Sequence, residues 1–209
     1  MTSVHIVRSA FTAATFALVA GLCVTPGLRA QAPATPLALQ TAKVSIAGTS
    51  NVHDYSASTS DVRLTRVVLG QAQPGPVSWD EVQTSAGLVG FDVTIAAATL
   101  TCPRDGVDKN MHKALKVEAH PAITFSLKRL EGAAGTLTAS GALTIAGVER
   151  DVTMPLTTTV NGEHLAVTGA LDVQMPDYGI KPPTAMLGVV RASPKVHVTF
   201  DLLLARATH

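Results

Sequence analysis

The sequence predicts an all-β fold of antiparallel strands, and three observations predict it. Apolar and polar residues alternate with a period of two along most of the chain, the pattern of a strand with one buried face. Turn-forming pairs separate the alternating runs, Asn161-Gly162 being the clearest. Only one helical pattern interrupts eight such runs. Eight amphipathic strands joined mainly by hairpins bury their faces together as a sandwich or as a closed barrel. Alternation alone does not choose between the two.

The chain opens with an address. Residues 1–30 carry Arg8 and Arg29 and no acid, and the apolar run from Ala10 to Val24 spans 15 residues. That is short of the roughly 20 needed to cross a bilayer. Pro26 and Gly27 break the run, and Leu28-Arg29-Ala30 ends it with a small residue, as at a signal-peptide cleavage site. An anchor or core helix is the alternative. Leu22 before Cys23 argues against lipid attachment there. Residues 31–39 read as a flexible lead-in and 40–206 as the folded domain.

Along that domain, Val44 and Ile46 open a first strand, 55–69 holds a second and 87–100 a third. Residues 71–78 form a Pro/Gly loop. Asp108 caps a helix reaching to His120, where Pro121 stops it. Met111 and Leu115, with Lys116 or Ala119, share one side of that helix. In 121–130, Ile123, Phe125 and Leu127 share a face. Leu137, Leu143 and Ile145 do so in 136–146, and Val152, Met154 and Leu156 in 151–160. Pro155 marks an edge or bulge in that strand. Leu165, Val167, Leu171 and Val173 line up in 163–173, and Val196, Val198, Phe200, Leu202 and Leu204 in 195–204.

Composition narrows the function. Charged residues make up 15% of the chain, against about 25% in an average one. Net charge is +1, and becomes −1 once Arg8 and Arg29 leave with the leader. Such a balance lacks the basic excess of a nucleic-acid binder. After the leader no apolar stretch is long enough to span a membrane, and Cys102 is the one remaining cysteine. It reads as a buried structural thiol, an inter-chain pair being the alternative. No Gly-x-Ser-x-Gly elbow, Walker loop or dinucleotide fingerprint is present.

His53-Asp54 reads either as a pair orienting a base or, with Ser50 and Asn51, as a tight polar turn. His112 and His120 with Glu118 have no metal-ligand spacing. His112 reads as a surface or capping contact on the helix, and His197 as an outward strand residue. Arg104, Asp105, Asp108 and Lys109 read as a solvated connection. Met154, Met175 and Met186 fill gaps or line an adaptable apolar pocket.

Four segments taken in order resemble the YceI-like family. They are Gly48-Thr49-Ser50-Asn51-Val52-His53-Asp54-Tyr55, then Asp108 to Leu115 with His120 to Phe125, then Gly141 to Val152, then Pro176 to Ile180 with Pro182 to Met186. The resemblance spans 40–205 and implies a lipocalin-like, antiparallel eight-stranded barrel with a short helix between strands. It implies an apolar lumen holding a polyisoprenoid such as an isoprenoid quinone, with no catalytic residues and no cofactor. Aromatic residues are fewer here than the family leads one to expect, at 4%.

On that reading the lumen is lined by Ile123, Phe125, Leu143, Ile145, Val152, Met154, Leu165, Val167, Leu171, Val196, Val198 and Phe200, with Met111 and Leu115 closing one end. The expected function is that of an exported, periplasmic and non-enzymatic carrier or store of an isoprenoid lipid. It binds no nucleic acid, and its state as monomer or homodimer is open. Two alternatives compete with it: a filled barrel that binds a partner protein, and an enzyme or metal-dependent activity centred on His53, Asp54 and His112.

Overall fold

The computed structural model describes residues 36–70, 77–103 and 107–207, apart from the side chains of Ala185 and Met186. The expected signal peptide, residues 31–35 of the lead-in, most of the 71–78 loop, Arg104, Asp105, the Met186 side chain and His209 lie outside the described residues. In chain order the elements are β1 (Leu37–Ser50), β2 (Tyr55–Thr59), β3 (Val62–Leu69), α1 (Trp79–Val82), β4 (Leu88–Ala96), α2 (Val107–Ala114), β5 (Ala122–Ala133), β6 (Thr136–Ile145), β7 (Val148–Asn161), β8 (His164–Gln174), β9 (Thr184–Ala185) and β10 (Val190–Arg206).

Nine strands form one antiparallel sheet in the order β2-β1-β10-β8-β7-β6-β5-β4-β3, and the two-residue β9 pairs with β10. A single sheet removes the sandwich. The count exceeds eight because the run expected over 55–69 is two strands. Thr59 Oγ1 accepts the Asp61 N–H at 3.0 Å, and the Val62 N–H reaches the Ser60 carbonyl at 2.9 Å. This local hydroxyl-to-backbone turn lets the chain leave β1, the partner of β2, and run on beside β4 as β3. β2 and β3 therefore end the hydrogen-bonded order while being neighbours in the chain. The sheet curls until its two ends meet at Ser60-Asp61, and no ladder joins β1 to β3 among the described residues. The expected closed eight-stranded barrel is thus a curled nine-strand sheet with a seam between β1 and β3.

Two further expectations are corrected. β1 begins at Leu37, which is fully buried and pairs with Arg206, so residues 37–39 are strand rather than lead-in. The helix is α2 alone and ends six residues before His120. Lys116 takes φ 54°, its N–H reaches the Lys113 carbonyl, and the Val117 N–H reaches the His112 carbonyl. That pair of bonds is a Schellman stop, which a periodicity argument cannot see.

Turns and bulges fix which face points inward. The β7–β8 loop is Gly162-Glu163 rather than Asn161-Gly162, with the left-handed position at Gly162 (φ 58°) and Asn161 paired to His164. Ala146 and Gly147 both have positive φ between β6 and β7, as a type I′ hairpin requires. A register shift between Leu127 and Arg129 turns both Lys128 and Arg129 outward and brings Leu130 back inside, the effect of a β-bulge. Pro155 sits one residue outside the β7–β8 ladder, which starts at Leu156, so its missing N–H costs that ladder nothing.

The concave face holds two clusters. The larger joins Leu37, Val67, Trp79, Val82, Leu88, Leu127, Leu130, Leu137, Met154, Leu165 and Leu204. The smaller joins Ile145, Ala146, Val173, Tyr178 and Ile180, with Ala114 and Leu115 packed against it. α1 belongs to the first and the end of α2 to the second, so the two helices mark opposite ends of the curl.

Candidate functional site

Inside the curl lies a cavity of about 160 Å³ lined by 24 residues, of which only Gln83 and Thr158 are polar. Those two satisfy each other and the nearby backbone. The Thr158 hydroxyl donates to Gln83 Oε1 at 2.6 Å and accepts the Gly135 N–H at 3.0 Å. Gln83 Nε2 donates to the Trp79 carbonyl at 3.0 Å. Both polar side chains are thereby engaged within the protein, and the other lining residues are apolar, so the wall suits an apolar guest.

The alternation supplies this wall strand by strand. Of the fourteen residues expected at the lumen, Phe125, Leu143, Met154, Leu165, Val167, Leu171, Val198 and Phe200 border the cavity. Ile123, Ile145 and Leu115 belong instead to the smaller cluster that backs one end. Val152 packs against the larger cluster without reaching the cavity. Val196 is buried outside both clusters, and Met111 on α2 is half-buried and borders neither.

Several lining residues went unforeseen. Phe91, Val93 and Ile95 come from β4, whose inner face the sequence left unassigned, and Leu130 is hidden behind the bulge. Val82 and Gln83 come from α1 and its C-cap. Four residues of helix carry no periodicity to detect, and Ser78 before Trp79-Asp80-Glu81 was the sole local hint. Trp79 is only 3% exposed. The Arg206 guanidinium lies 5.1 Å over its ring and donates through Nε to the Val77 carbonyl at 2.6 Å. Arg206 also pairs with Glu163. These contacts hold α1 across the end of the curl.

A second concavity, about 730 Å³, lies on the outer face of β1, β2, β8 and β10. Asp172, Lys195 and His197 line it with Asp54, Tyr55 and Cys102. Lys195 Nζ and His197 Nδ1 each lie 2.8 Å from Asp172. Hydrogen bonds from Lys195 first and His197 second hold the Asp172 carboxyl below the ordinary aspartate range. All three are about half exposed, so their attraction is screened. The apolar space inside the curl is the stronger ligand site, since an apolar lining with a few polar groups is the usual pattern of such sites.

The polar segments fold as turns. Ser50 Oγ donates to the His53 carbonyl at 2.6 Å and accepts the N–H groups of Val52 and His53. Asn51 Nδ2 donates to the Val189 carbonyl and its Oδ1 accepts the Arg191 N–H, both at 2.8 Å. This motif clamps the β1–β2 corner to the start of β10, and no side-chain bond joins His53 to Asp54. His112 Nε2 lies 2.8 Å from the Leu100 carbonyl, and Asp108, inside the first turn of α2 rather than capping it, accepts the Cys102 N–H at 2.6 Å. Cys102 is half-buried and borders the outer groove, not the core. Among the described residues no three His, Cys, Asp or Glu side chains converge on a metal position.

Comparison with known proteins extends the geometry. Chains of known structure similar to this one include BcnA of Burkholderia cenocepacia, at 19% identity and TM-score 0.61, covering 80% of this chain and 96% of that one. A polyisoprenoid binding domain from Saccharophagus degradans matches at 12% identity and TM-score 0.59, covering 83% and 100%. The YCEI protein of Campylobacter jejuni matches at 18% identity and TM-score 0.53, covering 71% and 85%. At these identities the likeness is one of fold. No curated protein matches in sequence. The profile of the YceI-like domain matches residues 38–204, and the chain belongs to that family.

Proposed function

We propose that the protein is an exported, non-enzymatic binding protein that holds a polyisoprenoid lipid, such as an isoprenoid quinone, in the apolar lumen for carriage or storage. The observation that carries this reading is a 160 Å³ cavity with 22 apolar lining residues and two mutually satisfied polar ones. A related fold described as a polyisoprenoid binding domain supports the ligand class. The leader-like residues 1–30 support export to the periplasm.

The energetics favour such a guest. Burial is worth about 0.8 kcal/mol per methylene, so about 4 kcal/mol for a five-carbon unit before ordering costs. The resting cavity compares with the roughly 150 Å³ apolar site that takes up benzene. A longer chain therefore parts the wall, in which Phe91, Phe125 and Phe200 are only partly buried. The same small volume favours the second reading, a filled curl that serves as an interaction module for a partner protein.

Solvent extraction of the protein purified from its exported fraction, read by mass spectrometry, separates the two. A prenylated species near one per chain is expected. An empty extract from a folded, β-rich protein would overturn the carrier reading in favour of the interaction module. Val167→Glu, which places a charge in the wall, should lose the lipid, while Val89→Glu on the exposed side of β4 should keep it.

A further inference from the structure

Two of the lumen's phenylalanines lie against glycines of the neighbouring strand. Phe200 on β10 is in register with Gly169 on β8. A Cβ built on Gly169 would sit 2.3 Å from Phe200 Cζ, 2.9 Å from Phe200 Cε1 and 2.9 Å from Leu156 Cδ2. Phe125 on β5, diagonal to Gly141 on β6, also lies against a glycine, with Cε2 and Cζ 2.7 Å from a Cβ built there. Both glycines fall on the inward face, in step with Leu165, Val167 and Leu171 on β8 and with Leu137, Ala139 and Leu143 on β6. Neither needs glycine for its backbone angles, since neither has positive φ. Glycine inside a strand weakens it, and at these positions what it provides is space for a ring.

Gly169 is the more informative of the two. A methyl at Gly141 would also meet the Ser126 carbonyl at 2.4 Å, so the backbone itself would have to move. At Gly169 the three nearest atoms are all far ends of side chains. The backbone can stay, and the Phe200 ring, with the end of Leu156 beside it, must shift. Strand β8 lies behind it and the cavity in front of it, where Phe200 already forms part of the lining.

We propose that Gly169 and Phe200 together set the bore of the lumen: the glycine leaves the space beside β8 that the Cζ–Cε1 edge of the ring occupies, and so keeps open the passage between the α1 end and the Leu143–Leu171–Val198 layer. The pair is a specificity determinant for the length of apolar chain admitted, and this consequence rests on the carrier reading above. Replacing Gly169 by alanine narrows the passage, and shortening Phe200 in the same chain reopens it.

The test uses Gly169→Ala, Phe200→Leu and the double variant, each checked for a wild-type circular dichroism spectrum. Crystal structures read the bore directly. A Phe200 ring displaced into the cavity of Gly169→Ala is expected, and a ring left in its wild-type place would overturn the proposal whatever lipid is bound. Binding of farnesol, geranylgeraniol and solanesol, in order of length, reads the consequence. Gly169→Ala should bind solanesol at least about tenfold more weakly than wild type, with farnesol least affected and the double variant restored. Folded variants that keep the wild-type ratios among the three affinities would overturn the specificity role. A displaced ring in a protein whose wild-type form binds none of the three would leave the bore standing and remove the carrier reading alone.

Discussion

Tyr55 shows how single residues strain against the fold. Its hydroxyl is buried with no protein partner, its ring lies over Gly48, and burial pushes the phenol's pKa up. An unpaired buried donor costs about 1–3 kcal/mol. Tyr55→Phe should therefore be neutral or stabilising by up to about 1 kcal/mol in urea unfolding; a clear loss would mean that the hydroxyl has a partner after all. Asp172 behaves in the opposite way. Its carboxyl is held low by Lys195 and His197, so the folded state binds a proton less readily than the unfolded chain. The stability this gives is present above the ordinary value of about 3.9 and is lost as pH falls through the lower folded value. Asp172→Asn should unfold more easily than wild type at pH 7, and the difference should vanish in strong acid. Equal denaturation midpoints at pH 7 would show that solvent screens the pair completely.

At the scale of elements, the short pieces carry most of the geometry. The β6–β7 turn needs two left-handed residues, and Gly147 (φ 80°) also lies under the His120 ring, where a Cβ would sit 2.4 Å from Cε1. Gly147→Ala should destabilise by about 1–3 kcal/mol through backbone strain and loosen the corner between α2 and β5, seen as faster amide exchange at Ile145 and Val148. α1 has four residues and no stability of its own, since isolated helices need about 12 or more. It is held by Trp79 in the larger cluster, by Arg206 over that ring and by the Gln83–Thr158 bond. Trp79→Ala should cost about 3–5 kcal/mol and open the α1 end of the lumen. A thermal unfolding scan and the uptake of a fluorescent apolar probe would read both effects. An unchanged melting temperature would mean that α1 contributes no closure.

For the whole molecule, one sheet does what a sandwich does with two. Curling brings inward faces from β1 and β3 to β8 and β10 around one apolar space, and the outward faces keep the few charges in water. The turn at Ser60-Asp61 makes this closure, because it hands one stretch of chain from β1 to β4. Leu165, 2% exposed at the centre of the larger cluster, tests that core. Leu165→Ala should cost about 2–5 kcal/mol while enlarging the cavity it borders, so a less stable protein that holds more apolar ligand is the expected outcome of calorimetry and extraction together. A loss of both would mean that wall and core cannot be separated.

Much of this was written in the alternation. A period of two assigns a face to each residue, so Phe125, Leu143, Met154, Leu165, Val167, Leu171, Val198 and Phe200 point to one side in any all-β arrangement, and they reach the cavity. The turn chemistry around Asn161-Gly162 and Ala146-Gly147 set hairpins between consecutive strands, misplacing one loop by a residue. Local pattern carried no information where the outcome depended on distant partners. Leu130 is inside because a bulge against β6 shifts its register, and Ile123 and Ile145 back one end because α2 and the Met175–Tyr178 turn pack there. Trp79, Val82 and Gln83 line or close the lumen because Arg206 and Thr158, far along the chain, hold them. The sequence by itself determined most of the strands, the inward faces of β5 to β8 and of β10, and the family to which the chain belongs. Only the tertiary structure decided the curl, its seam and the width of the space inside, because those depend on where the ends of one sheet meet and on which side chains then face each other.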